Sequence, residues 1–174
     1  MNFKKIKIIG VFIIFALCFP LHFLYDWFPN IISSIFLPVN ESIWEHMKLI
    51  ITSFILYSII ETLIIRKKKI KTNNYVLNLF ATPLIGIILY LLIFLPIYKI
   101  IGENMIISIA LLFIIIIIEQ IISYFITISK EIKGEKIIGT IGIIIVYIIF
   151  TALTYFPIEN YIFYDVTTNS YGIN

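Results

Sequence analysis

The 174-residue chain is 61% hydrophobic with a mean hydropathy of +1.06, well above the roughly 45–50% apolar content of a soluble domain. One soluble core of this length cannot bury that excess, so lipid must cover it. The net charge of +3 comes from short lysine clusters between apolar runs, which are membrane topology signals rather than a nucleic-acid surface, and the lone Cys18 excludes an intramolecular disulfide or a cysteine-built zinc cluster.

At about 20 apolar residues per span, the pattern predicts an all-α, polytopic transmembrane bundle of about five spans and no separate soluble domain. Span one runs from about Ile6 to Leu24 and contains Pro20. Its start, with Lys4, Lys5 and Lys7 before an apolar run, resembles a signal peptide. The small-residue cleavage site is missing, and Leu17 is too large for a lipoprotein box before Cys18, so an uncleaved helix is expected. Residues Tyr25 to Val39 read as a loop that partly re-enters or lies on the interface. Span two covers about Ser42 to Ile65 and stops at Arg66-Lys67-Lys68-Lys69. Spans three, four and five cover about Tyr75–Tyr98, Asn104–Ile128 and Lys136–Tyr155. The tail, 156–174, is too polar and too short to span, and its aromatics suit an interfacial lid.

Charge orients the array. With the N-terminus in the cytoplasm and the C-terminus outside, 11 of the 13 basic residues fall on the inner side, leaving only Lys48 and Lys99 outside. Hydropathy and the positive-inside rule therefore agree. There is no internal repeat of the kind that marks inverted-repeat transporters.

The densest polar stretch, Pro38-Val39-Asn40-Glu41-Ser42-Ile43-Trp44-Glu45-His46-Met47-Lys48, opens span two at the outer face. Glu41 and Glu45 are four apart and share a helix face, while His46 lies about 100° round from Glu45. His22, the only other histidine, ends span one on the same side. If spans one and two pack together, His22, Glu45 and His46 make a divalent-metal site of zinc type, with Asn40, Glu41 and Asp165 at its rim. The competing reading is structural: Ser42-x-x-Glu45 is a capping box, Asn40 is an alternative cap, and Trp44 suits the aromatic belt. Capping explains Glu45 but not His46. Within span four, Glu119 lies near the bilayer middle, where a charge costs about 2.5–3.5 kcal/mol on the insertion scale. It should face the bundle interior, either as a catalytic or proton-relaying group or hydrogen-bonded to a neighbouring span. Glu61 lies about a turn from Arg66 and can pair with that cluster or snorkel.

The motif Pro38-Val39-Asn40-Glu41-Ser42-x-Trp44-Glu45-His46-x-Lys48, preceded by His22-Phe23-x-Tyr25-Asp26 and followed by Asp165 and Tyr171-Gly172, resembles a family of uncharacterised small bacterial integral membrane proteins. The resemblance covers nearly the whole chain and implies the architecture but no activity. The tail has Val166 where that pattern has proline. Three functions compete on these residues: a metal-dependent hydrolase or transferase acting on a lipid-like substrate from the outer leaflet, a small transporter or binder of a solute or cation, and a structural or regulatory membrane subunit.

Overall fold

Isoleucine-rich runs set the helices, and short polar side chains set their ends. The computed structural model describes residues 2–102 and 104–173. Helix α1, Phe3–Trp27, starts at Asn2, whose side chain accepts the Lys5 N–H, and runs through Pro20 without a break. Asn30 and Ser33 exchange reciprocal capping bonds to start the short α2, Ile31–Phe36, inside the stretch read as a loop. Ser42 caps α3, Ile43–Lys68, which closes with Lys69 in the left-handed region. Helix α4 is Tyr75–Ile101, α5 is Met105–Ile128 and α6 is Glu135–Tyr155. The tail forms a small antiparallel hairpin, β1 (Tyr164–Asp165) on β2 (Ser170–Tyr171).

Five of these helices, all but α2, are long and apolar enough to cross a membrane, as the composition required. Helix α3 is the centre of the bundle: 61% of its most apolar stretch is buried, against 22–28% in the other four. Helix α1 packs on α3 and α5, and α4 packs on α3, α5 and α6. The apolar excess faces outward. On α6, Ile137, Ile141, Ile144 and Ile148 form an exposed helical stripe, while Gly139, Gly142, Val146, Phe150 and Thr154 form the buried one. In water such a stripe would drive aggregation; against acyl chains it is matched.

The lysine-rich end is tied by polar contacts between helices. The Asn74 amide donates to the Ser129 hydroxyl and the Lys130 carbonyl. The Glu135 carboxylate, at the start of α6, accepts the Val76 and Leu77 N–H groups and so caps α4 from a neighbouring helix, where the helix dipole favours an anion. Glu61 pairs not with the Arg66 cluster but with Lys7 of α1, at 2.7 Å, and both are buried. Lys7, counted above as a topology charge, therefore also joins α1 to α3, and it donates to Ser123 of α5. Glu119 is fully buried, as its insertion cost required, and lies against Gly86 of α4, where any Cβ would collide with its carboxylate.

Candidate functional site

The opposite end of the bundle holds the two histidines. His22 stands near the end of α1 and His46 in the first turn of α3. Their Nε2 atoms are 3.0 Å apart. Glu41, in the loop just before the Ser42 cap, brings Oε2 to 3.5 Å from His22 Nε2 and 3.4 Å from His46 Nε2. The three residues thus offer one nitrogen or oxygen each, all within 4.8 Å of one another, a grouping that could hold a metal ion.

Local structure fixes this geometry. The Ser42 carbonyl lies 2.8 Å from His46 Nδ1. A carbonyl only accepts, so Nδ1 carries a proton, and in the neutral ring Nε2 is then the nitrogen left to bind a metal. The His22 ring packs at a tilt against Phe23, with ring centroids 4.7 Å apart. The flanking imidazoles of His22 and His46 hold the Glu41 carboxyl well below the usual carboxylate range, against the opposing effect of partial burial. The tail steadies the Glu41 loop. Asp165 accepts from the Thr167 and Thr168 hydroxyls, and the Glu41 backbone N–H is a lesser influence on its carboxyl. Burial alone would raise the Asp165 carboxyl, but these donors outweigh it and hold it below its ordinary value.

Glu45 does not join the histidines. Its position about 100° from His46 on the helix turns it the other way. Its carboxylate accepts from the Lys48 ammonium at 2.7 Å, the Thr154 hydroxyl at 2.6 Å and the Val39 N–H at 3.1 Å. Lys48 is completely buried and also donates to the Ser34 and Leu37 carbonyls and to Thr154. This knot ties α2, the start of α3 and the end of α6 together. The capping box forms only in part: Ser42 Oγ accepts the Glu45 N–H, but the Ser42 N–H donates to Asn40 Oδ1 rather than to Glu45. Glu41, expected at the rim, takes the place beside the histidines. The spacing rule pairs Glu41 with Glu45 only if both are helical, and Glu41 precedes the helix.

The remaining motif residues dock the tail. Asn40 donates to the Gly172 carbonyl at 2.8 Å. The Trp44 backbone N–H donates to the Ile162 carbonyl, and its indole packs between Phe150 and Phe163.

His22, Glu41 and His46 line one wall of a cavity of about 600 Å³. The rest of its wall is mainly apolar, with Phe19, Met47, Ile50, Phe94 and Leu112 from α1, α3, α4 and α5, and Tyr164 and Val166 from the tail. Glu119 does not line it. On the other side of Glu41 is a polar pocket of about 290 Å³ between the end of α1 and the tail hairpin, bounded by Asp26, Asn40, Asp165, Thr167 and Thr168.

No curated protein and no solved structure matches the chain. The model of one family matches residues 1–173, and the chain accordingly belongs to DUF6512, a family of unknown function.

Proposed function

We propose that the chain is a membrane-embedded, metal-dependent hydrolase or transferase in which His22, Glu41 and His46 hold a zinc-type ion beside an apolar cavity that takes the chain of a lipid-like substrate. The observation that carries this reading is the triangle of ligand atoms, with sides of 3.0, 3.4 and 3.5 Å. A point about 2 Å from all three atoms, the ordinary zinc–ligand distance, lies just off their plane, so one ion could reach all three. Three protein ligands with a fourth position open is the arrangement of catalytic rather than structural zinc.

The cavity indicates the substrate. Its volume is within the roughly 300–1,000 Å³ of small-molecule sites, and its mainly apolar wall suits an acyl chain. The bound ion would polarise a carbonyl or phosphoryl oxygen and acidify a water. For an ester, water adds at the carbonyl carbon, the bond to the head alcohol breaks, and the water proton passes to the departing oxygen. The chain's own residues would orient the reacting bond: His46 is held by the Ser42 carbonyl, and the tail residues Tyr164 and Val166 line the cavity. Glu119 stands apart from it, which favours this reading over a polar path through the membrane.

The topology that fits the lysine distribution has the N-terminus in the cytoplasm and the site at the outer leaflet of the cell membrane. The enzymatic reading is tested with zinc-loaded protein in neutral vesicles, offered single-chain ester, amide and phosphodiester amphiphiles. Cleavage of one class that His46→Ala abolishes and Glu119→Gln leaves within a few-fold supports it. Zinc-loaded protein that cleaves no class would count against it.

A further inference from the structure

Glu41 lies in the wall of both cavities, so the three-residue cluster stands at the junction between an apolar compartment and a polar one. The polar compartment has a single charge sign. Asp26, Glu41 and Asp165 border it, with no lysine, arginine or histidine among its lining residues. Tyr25, Asn40, Thr167 and Thr168 add further polar side chains to its lining, groups that suit a small head rather than a chain.

We propose that this second pocket is a headgroup subsite for an ammonium-type cation, so that the ligand is an amphiphile with its chain in the apolar cavity, its reacting linkage at His22, Glu41 and His46, and a cationic group between Asp26 and Asp165. This rests on the metal-site reading for the reacting linkage, but the charge preference belongs to the pocket itself. In the metal-free protein an anionic head would enter a site with three carboxylates and no basic side chain in its lining, where like-charge juxtaposition disfavours it. A cationic head replaces its hydration with carboxylates already fixed by the fold: Asp165 by Thr167 and Thr168, and Glu41 by the two imidazoles. Asp26 is exposed at the end of α1 and makes no contact that holds the bundle together among the described residues, so it is the position to alter.

The test uses full-length protein in neutral-lipid nanodiscs with trace spin-labelled single-chain amphiphiles of one chain length. One carries a trimethylammonium head and the other a phosphate monoester. The immobilised fraction is read by electron paramagnetic resonance, with and without zinc. In metal-free protein the trimethylammonium probe should be immobilised at least several-fold more than the phosphate probe, and Asp26→Lys should remove that preference. Equal immobilisation of the two heads, a preference for phosphate without zinc, or a cation preference unchanged in Asp26→Lys would overturn the proposal. Failure of the metal reading registers separately, as no zinc effect on either probe while the cation preference persists.

Discussion

His22 Nε2 and His46 Nε2 lie 3.0 Å apart although they come from different helices, 24 positions apart in the chain. The link between α1 and α3 is short enough to keep the two helix ends adjacent, and Glu41 in that link closes the triangle. Bringing two imidazoles and a carboxylate together lets each offset the desolvation of the others.

The buried Glu45–Lys48 knot sets the shape of the link, and its removal should be costly. Lys48→Met leaves the Glu45 carboxylate buried without its cation, a change worth about 3–5 kcal/mol for buried pairs. Thermal unfolding in detergent should show a clear loss of Tm, and the double variant Lys48→Met/Glu45→Leu should recover part of it. A Lys48→Met protein as stable as the parent would remove the knot from the account.

Acid should strip metal from the site through the imidazoles, not through Glu41. The Glu41 carboxyl is depressed in the folded protein by His22 and His46. Its contribution is therefore present above the unfolded value of about 4.3 and is lost only as pH falls through the lower folded value. The imidazoles must be neutral to bind metal, so zinc should leave first. A zinc-release midpoint above about pH 4.3, followed by dialysis and elemental analysis, is expected; retention down to pH 3 would contradict the assignment.

Close approach of α4 and α6 depends on Gly139. A Cβ there would run into the Val76 backbone, which cannot yield, whereas one at Gly142 would meet only the Phe80 ring, at 2.5–2.6 Å. Gly139→Ala should destabilise by about 1–3 kcal/mol, the range for overpacking, and Gly142→Ala by less. The reverse ranking in thermal unfolding would show that the helices pack differently.

Orientation is open to labelling. In a Cys18→Ser background, Ser170→Cys should react with an impermeant maleimide added to intact cells, and Thr72→Cys only after lysis. The opposite pattern would put the site on the cytoplasmic side.

The helical membrane fold was legible because hydropathy and charge are summed over long runs and tolerate local error. The site was legible only in part. Helical spacing pointed to the motif and to His22, but it cannot say which of two glutamates turns inward when a cap residue stands between them. Ser42 starts the helix, so Glu41 stands in the bend before it and Glu45 points about 100° away from His46. Lys48, three residues after Glu45, was the available signal, since a buried pair at that spacing satisfies both charges. The pairing of Glu61 with Lys7 rather than Arg66 depended on α1 packing against α3, which no local pattern encodes. The α2 helix was hidden by its length of six residues, too short for periodicity to register.

The most direct test of the central claim is zinc stoichiometry, by elemental analysis of protein purified without a histidine tag and reloaded with zinc. The parent and Glu45→Gln should each hold about one zinc per chain, while His22→Ala, His46→Ala and Glu41→Gln, all folded by circular dichroism, should hold close to none. Zinc absent from the parent, or lost in Glu45→Gln but kept in Glu41→Gln, would contradict the site described here.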